Sequence, residues 1–482
     1  MRKRFMGKKL VSLALVTSMA VGLVACGGKD ANKTGGDSAN VKPETIKFAI
    51  NVGMKDADAK NWKEGFEKLT GIKLDYNGPG TGAQYYTDLD LAYANKTEPD
   101  VFNVGDGKLT VYAGKGAVAD LTELFNKSSL KDRIDPKVME SVTIDGKIYG
   151  IPFEEGGGTV TYVRQDWLDA VGLKAPTTYD EFINMLREFK KKFPDKIPMT
   201  APALYKDQAY MYLREFYQDA NPDFVKVDGK WVDGMAQENM KAALQRLQDA
   251  YKEGLLDLEV LTNTTSTCRD KWYAGDVGVF NYWTGTWAMN LETRLQANVS
   301  GASVLQLPSI AETSYLKRVP AVTVISSRSD NIEGVFKYFI EYMHDGGEGQ
   351  LLFESGVEGT HYKKEGTTLV QLPKADKPEE VYEKAFISPF LRVTEMKDSL
   401  SIDFDKRVTS SNELLEQKFT QLEITPDSDT YTKRSADIIV LKDEVIGKIV
   451  TGAMSVDEGL GYYAKEIAAL EMDKIIEELN AK

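Results

Sequence analysis

The sequence predicts an α/β fold made of two lobes, and three observations lead to this prediction. Its 482 residues, 42% of them hydrophobic, exceed the roughly 250–300 residues at which a single core stops growing. Short strand-like runs alternate with helical patterns, which is the order that builds open sheets with parallel strands. No linker-like stretch interrupts residues 45–482, so we expect lobes joined by crossing connections rather than two independent domains.

The first part of the chain contains the strands of one predicted sheet. Alternating patterns and short apolar runs mark strands at Thr45–Ile50, Gly71–Tyr76 and Pro99–Gly105. A helix is predicted around Asn61–Thr70. Its side chains Trp62, Phe66 and Leu69 share one face, which is expected to pack on the sheet.

The middle and the end of the chain are rich in helical patterns. Apolar spacing and turn residues predict helices at Tyr179–Phe193, at Glu238–Glu253 and through most of Ile438–Leu479, a hairpin at Lys226–Val232 and a buried strand at Asp276–Tyr282. Thr178 followed by Glu181 has the spacing of a capping box. Gly254 follows the second helix as a C-terminal stop.

The N-terminus has the pattern of an export signal. Basic residues from Arg2 to Lys9 precede a long apolar run that ends in small residues and Cys26, which is typical of a secretory signal peptide. Leu23–Cys26 resembles a lipobox, in which the cysteine is lipidated and becomes the first residue; the alternative is a plain signal peptide with an incidental cysteine. We expect residues 1–25 to be removed, and 26–43 to be a lipidated Cys and flexible tether. The protein would then be held at the outer face of the cell membrane.

Charge and cysteine content exclude several classes of protein. The net charge is −13 and becomes −18 when residues 1–25, with five basic and no acidic side chains, are removed. Such a chain repels phosphate backbones, so no nucleic-acid partner is expected. A second apolar run of about 20 residues is missing from the sequence, which argues against a permease. Lipidation of Cys26 would leave Cys268 without a disulfide partner, as a buried inert thiol.

Four sequence blocks, in the right order, resemble one known family. The blocks are Gly150–Pro152 with Tyr162–Asp169, Pro176–Phe182, Tyr251–Asp257 and Gly356–Tyr362. They are similar to those of the family 1 extracellular solute-binding lipoproteins, in particular the LplA-type lipoprotein branch. The resemblance implies a two-lobed periplasmic-binding-protein-like (type II) fold with a hinge and central cleft. It also implies that a sugar, expected to be an oligosaccharide, binds there and passes to the permease subunits of an ABC importer, without a reaction or a cofactor.

Lobe boundaries can be placed on this basis. We expect lobe 1 to comprise residues 44–155 and 316–380, and lobe 2 to comprise residues 156–315 and 381–482. The family often carries a calcium loop after the helix that corresponds to residues 180–192. Here Phe193–Pro198 offers only Asp195 beside Lys196, which cannot supply the six to eight oxygens that calcium takes, so no metal is predicted. We expect a monomer.

Aromatic residues at strand ends predict the ligand site, because sugar rings offer apolar faces to aromatic platforms and hydroxyls to polar groups. Residues 271–287 hold three of the six tryptophans. Trp283 and Trp287 follow the buried strand that contains Tyr282, although Trp287 could instead pack on the core in the first turn of a helix. The other predicted ligand contacts are Tyr282, Asp106, Asn51, Glu155, Tyr205 and His361, of which His361 could equally belong to a hinge loop.

The sequence contains few of the motifs that are typical of catalysis. No GxxxxGK[ST], HExxH or GxSxG motif is present, and His344 and His361 are the only histidines, so zinc sites and histidine triads are poorly supplied. Abundant carboxylates leave a surface-anchored carbohydrate-active enzyme open as an alternative. A sugar-sensing receptor is a further alternative. The residues favour the interpretation that the protein binds its ligand without catalysing a reaction.

Overall fold

The structure is a computed structural model that describes residues 42–51, 56–76, 82–105, 107–372 and 387–481. The predicted signal peptide and the lipidation site at Cys26 lie outside the described residues. The strands are β1 Thr45–Ala49, β2 Lys73–Tyr76, β3 Val101–Val104, β4 Ile151–Pro152, β5 Thr159–Arg164, β6 Ile197–Thr200, β7 Phe224–Val227, β8 Lys230–Asp233, β9 Val277–Trp283, β10 Val304–Leu307, β11 Tyr315–Lys317, β12 Val322–Ile325, β13 Tyr362–Glu365, β14 Thr368–Gln371, β15 Ser401–Ile402 and β16 Phe419–Gln421.

The helices alternate with these strands in the first two thirds of the chain and dominate its end. They are α1 Asp56–Thr70, α2 Ala83–Asn95, α3 Lys108–Gly114, α4 Thr122–Lys127, α5 Pro136–Glu140, α6 Gln165–Val171, α7 Tyr179–Lys192, α8 Arg214–Tyr217, α9 Glu238–Lys252, α10 Thr265–Tyr273, α11 Thr286–Asn298, α12 Ile332–Val335, α13 Glu348–Ser355, α14 Lys406–Gln417, α15 Asp429–Val450, α16 Val456–Ala469 and α17 Met472–Asn480. None of the described helices is both long and apolar enough to cross a membrane.

The first sheet has the order β2-β1-β3-β12-β4. Strand β1 is parallel to β2 and β3, as predicted, whereas β12 returns from much later in the chain and runs antiparallel to β3 and β4. Helix α1 buries Trp62 and Phe66 completely against this sheet. Leu69 is 39% exposed, so the buried face of α1 ends earlier than predicted.

The second sheet has the order β10-β5-β9-β6, in which β5 is antiparallel to both neighbours and β6 is parallel to β9. Strand β9 is the predicted buried strand, and it ends at Trp283. The predicted hairpin is β7–β8, with Asp228 and Gly229 at φ values of 51° and 77°. Two positive φ values are those of a type I′ turn, which explains the Asp-Gly pair.

Two separate hydrophobic cores correspond to these sheets. The first core draws on residues 46–153 and 322–353 together with Ile387 and Val393. The second draws on residues 160–316 and 415–479, so the C-terminal helices return to it. Ile387 and Val393 pack in the first core, although the sequence-based boundary assigned residues from 381 onward to lobe 2. The chain therefore crosses between the cores after β4, after β11 and again between Val393 and α14.

Helix α7 begins at the predicted cap. The Thr178 hydroxyl accepts a hydrogen bond from the Glu181 backbone N–H at 3.3 Å. The Glu181 carboxylate reaches back to the backbone N–H and the hydroxyl of Thr177, both at 2.8 Å, rather than to the Thr178 N–H. Two reciprocal hydrogen-bonding contacts therefore cap the helix, but the Glu181 carboxylate bonds to Thr177 instead of to Thr178.

We expect replacement of Thr178 with alanine to lower the free energy of unfolding by about 1 kcal/mol, because one N–H of the first turn loses its acceptor. Urea denaturation monitored by circular dichroism measures this difference. Thr178→Ser keeps the hydroxyl and should unfold at the wild-type midpoint. Equal stability of wild type and Thr178→Ala would show that the cap contributes nothing.

Candidate functional site

A large cleft of about 1070 Å³ lies between the two cores. Its walls come from both, since Phe153 and Tyr112 belong to the first core and Tyr210 to the second. The aromatic lining residues are Tyr86, Tyr112, Phe153, Tyr210, Phe224, Trp283, Trp287, Phe390 and Tyr431. Many aromatic surfaces interspersed with polar groups match the chemistry of a carbohydrate ligand.

Trp283 and Trp287 both line the cleft. Trp283 is the half-buried last residue of β9, and the Arg318 guanidinium lies 5.3 Å from its ring centre. Trp287 stands in the first turn of α11, where its ring packs edge-on against Tyr282 at 5.1 Å. Trp287 therefore packs partly on the second core and also lines the cleft.

Gly285 lets an aromatic side chain approach between these two tryptophans. Its φ is 72°, and a Cβ atom built on it would lie 2.4 Å from the Phe390 ring. Phe390 comes from the last crossing segment and lines the same cleft. Glycine is thus required at position 285 for its φ and for the close contact.

The polar residues predicted at the strand ends differ in where they lie relative to the cleft. Asn51, just after β1, lines the cleft, and its Oδ1 accepts a hydrogen bond from the Gly82 N–H at 2.6 Å. Asp106 lies outside the described residues. Glu154 lines the cleft in place of the predicted Glu155, because adjacent side chains in an extended segment point to opposite sides.

Glu155 contributes to an ionic cluster at the crossing segments. Lys317 is almost buried, with its Nζ 2.6 Å from Glu416 Oε1 and 3.5 Å from Glu155 Oε2. The Glu155 N–H donates to the Leu391 carbonyl at 2.8 Å. Four parts of the chain that are distant in sequence are therefore joined at this point.

Three predicted contacts lie away from the cleft lining. Tyr282 is 2% exposed, because it alternates with Trp283 along β9 and so faces the core. Tyr205 is buried, and its hydroxyl donates to Asp223 Oδ1 at 2.8 Å. His361 lies 3.0 Å from Asp58 Oδ1 through Nε2, and its Nδ1 accepts from the Val357 N–H at 2.8 Å, so it ties a loop to helix α1.

Several cleft residues escaped the sequence analysis. Asp223 lies in an irregular loop before β7, and Arg318 follows β11 on a crossing segment. Neither belongs to a motif or a periodic pattern. Only the folded chain brings them beside Trp283 and Tyr210. Arg164, by contrast, is buried and pairs with Asp166 at 2.8 Å.

The crossing segments form a small network beside the cleft. The Arg318 N–H donates to the Gly157 carbonyl at 2.9 Å, and the Leu422 N–H donates to the Lys317 carbonyl at 2.8 Å. Gly156 has a φ of 79°, and a Cβ atom there would lie 2.2 Å from the Arg318 carbonyl oxygen. The segments therefore touch backbone to backbone.

The two histidines make stability depend on pH. Burial, with a contribution from Arg133, lowers the pKa of His344 to about 3, and burial lowers the pKa of His361 although Asp58 opposes it. The histidines of the unfolded chain take up protons near pH 6.5, whereas those of the folded chain do so only at lower pH, so stability falls as pH decreases below 6.5. For His344 alone we expect a loss of about 1–2 kcal/mol between pH 7 and 5.

Urea unfolding at several pH values tests this expectation. The comparison with His344→Gln is needed because Glu215, a buried carboxyl whose pKa is raised by burial, acts in the opposite sense. The wild type should lose more stability than His344→Gln over the same interval. Identical slopes would contradict the assignment to His344.

Comparison with known proteins identifies the family. Residues 52–343 match the family described as bacterial extracellular solute-binding protein. The chain belongs to this family. The two-lobed α/β fold predicted from the sequence is confirmed, since the structural neighbours of this solute-binding protein are periplasmic solute-binding proteins.

Two curated relatives are similar to this solute-binding protein over part of their length. The diacetylchitobiose binding protein DasA of Streptomyces coelicolor is 29% identical over 245 residues, which cover 50% of this chain and 55% of DasA. The fructooligosaccharide ABC transporter substrate-binding protein FusA of Streptococcus pneumoniae is 26% identical over 372 residues, covering 68% of this chain and 67% of FusA. The chain thus spans about half the length of DasA and two thirds of FusA.

A solved structure shares the fold over nearly the whole chain. The HMO binding ABC-transporter associated solute binding protein of Bifidobacterium longum infantis superimposes with a TM-score of 0.72 at 16% identity, covering 92% of this chain and 98% of that protein. The LplA-type branch within the family stays a prediction. Among the described residues, no group of three or more His, Cys, Asp or Glu side chains is placed to share a metal ion.

Proposed function

We propose that this solute-binding protein captures an oligosaccharide in the cleft between its lobes and delivers it to the permease subunits of an ABC importer. The observation that carries this proposal is the cleft itself, which combines aromatic walls from two separate cores with carboxylate, amide and guanidinium groups. The names of DasA and FusA both refer to sugars. No reaction is assigned to the cleft.

Binding would drive closure of the lobes. A ligand that contacts both walls binds more tightly when the walls are close, and this difference in affinity is what shifts a hinge equilibrium toward the closed form. Phe153 and Tyr112 would contact it from one side, and Trp283 and Tyr210 from the other. The closed form is then the one that docks on the permease.

We further propose that the protein works as a monomer at the outer face of the cell membrane, anchored by lipid on Cys26. The support is the sequence Leu23–Cys26 after an apolar run, followed by a polar tether. Mass spectrometry of the membrane-extracted protein tests it. A Cys26→Ser variant should carry no lipid at residue 26, and wild-type protein without the added mass of acyl chains would contradict the proposal.

A thermal-shift screen of residues 27–482 against monosaccharides, oligosaccharides and peptides tests the binding function. A ligand at about 100 times its Kd should add roughly 2.7 kcal/mol to the free energy of unfolding. Chromatography of the recovered ligand then separates a binding protein from a glycosidase, because only an enzyme would shorten the glycan. A shift with peptides and none with sugars would overturn the proposal.

A further inference from the structure

One carboxylate in the cleft is held in place by tyrosines and has no ion-pair partner among the described residues. Asp223 Oδ1 accepts from the Tyr205 hydroxyl at 2.8 Å, and Oδ2 accepts from the Tyr210 hydroxyl at 2.7 Å. Asp223 is half-buried and lines the cleft, whereas both tyrosines are buried behind it. Both of these donors are neutral, so they orient the negative charge without cancelling it.

The backbone of this loop is fixed as well. The Asp223 N–H donates to Asn221 Oδ1 at 2.9 Å, and the Asp223 carbonyl accepts from the Gly234 N–H at 2.8 Å. A Cβ atom on Gly234 would lie 1.8 Å from the Asn221 carbonyl oxygen, so the loop packs directly on the glycine backbone. Asp223 is therefore preorganised before any ligand arrives.

The tyrosines remain hydrogen-bond donors at physiological pH. Burial, together with the nearby Asp223 carboxylate, raises the pKa of both Tyr205 and Tyr210 well above the ordinary value. A carboxylate has about four acceptor positions, and the tyrosines occupy two of them. The remaining positions suit hydroxyl groups of a ligand next to Phe224 and Tyr210.

The charges around the cleft favour the same type of ligand. The described lining includes five acidic residues (Asp90, Glu154, Asp223, Glu423 and Asp427) and three basic residues (Lys108, Lys115 and Arg318), which gives a net charge of −2. Arg318 is stacked on Trp283. A buried cation behind Asp223, Lys442, pairs with Asp233 at 3.0 Å and donates to the Pro222 carbonyl at 2.6 Å. An added ligand carboxylate would therefore meet a net excess of negative charge in the described lining, despite the Arg318 cation.

We propose that Asp223 binds hydroxyl groups of the sugar, and that its uncancelled charge restricts the cleft to neutral or amino-containing oligosaccharides and rejects uronates. This inference rests on the proposed sugar-binding function. Asp223 would then both form hydrogen bonds with the sugar and select ligands by their charge. Tyr205 is a positioning residue, because it acts only through Asp223, whereas Tyr210 orients Asp223 and also lines the cleft.

Calorimetric titration of residues 27–482 tests the inference. The probes are neutral maltooligosaccharides, fructooligosaccharides and galacto-oligosaccharides, oligogalacturonates, and the best neutral binder after oxidation of its primary hydroxyls to carboxylates. We expect the oxidised sugar to bind the wild type at least about tenfold more weakly than its neutral parent, as expected for an unfavourable charge contact. Asp223→Asn should bind the neutral sugar about tenfold to a hundredfold more weakly, which is the effect of losing a charged hydrogen bond, and should discriminate less between the two sugars.

Two further variants distinguish a change in ligand selection from a loss of folded protein. Asp228→Asn removes the same charge from the exposed β7–β8 turn, where asparagine tolerates a positive φ, and should bind like wild type. Tyr205→Phe keeps the Asp223 carboxylate but removes one of its two hydrogen bonds from tyrosine. It should bind the neutral sugar several-fold more weakly, with unchanged discrimination between the neutral and the oxidised sugar. Melting temperatures show which variants are folded, and the discrimination ratio does not depend on the folded fraction.

The outcomes distinguish this inference from the function on which it rests. Equal or tighter binding of the oxidised sugar or of oligogalacturonates by the wild type would overturn the inference while sugar binding stands. Wild-type affinity and discrimination in Asp223→Asn would do the same. Binding of none of the sugars by the wild type would overturn the proposed function, and the inference with it.

Discussion

Replacement of Trp283 with alanine is expected to weaken oligosaccharide binding by about a hundredfold, because truncating a central aromatic anchor costs about 2–4 kcal/mol. Trp283 ends β9 at the cleft, and its ring has Arg318 beside it at 5.3 Å. Its removal would delete an apolar platform for the sugar ring and the stacking partner of the guanidinium. Isothermal titration with the sugar found in the thermal-shift screen measures the change.

The neighbouring residue supplies a matched control for this variant. Tyr282 precedes Trp283 but faces the core, where its hydroxyl accepts from Arg269. Tyr282→Phe keeps the ring and should bind the sugar with nearly wild-type affinity. Trp283→Phe should lie between wild type and Trp283→Ala. An unchanged affinity in Trp283→Ala would remove Trp283 from the binding site.

The second large effect is expected at Gly156, whose replacement with alanine should lower the free energy of unfolding by about 2–4 kcal/mol. A Cβ atom there would lie 2.2 Å from the Arg318 carbonyl oxygen, and the φ of 79° is unfavourable for alanine. Because the obstacle is backbone, it cannot rotate away. Denaturant unfolding gives the difference in free energy.

Two other glycines separate the steric effect from the backbone effect. Gly172 has a φ of 69°, and a Cβ atom there would have no neighbour within 4 Å, so Gly172→Ala should cost only the roughly 1–2 kcal/mol of a left-handed residue. Gly157 has open space apart from Leu391 at 3.6 Å and should tolerate alanine. Equal losses for Gly156→Ala and Gly172→Ala would show that the contact with Arg318 is unimportant.

Local patterns were enough to predict many elements of the fold. The strand at Thr45, the Asp-Gly hairpin, the cap at Thr178 and the C-terminal helices depend on residues close in sequence, and the structure confirms each of them. The antiparallel strand β12 within the first sheet was not predicted. Its partners lie at least 170 residues away in the sequence, and a buried apolar run carries no information about strand direction.

Only part of the cleft was predictable, because some of its residues are brought there by contacts between parts of the chain that are distant in sequence. Trp283 ends β9, Trp287 and Asn51 come after strands, and all three line the cleft, whereas the alternation along β9 turns Tyr282 toward the core. Asp223 and Arg318 reach the cleft through irregular loops whose course depends on tertiary contacts.

The position of β12 has a consequence for the order of folding. This strand lies between β3 and β4, so the first sheet cannot be completed until the chain up to Ile325 is available. A chain that emerges N-terminus first must hold Phe102 and Val104 without their cross-strand partner while the second core is still being made. Such long-range pairing slows folding and prolongs the exposure of an unpaired strand edge. Aggregation of shortened chains ending before residue 322 is therefore the characteristic failure expected of this topology.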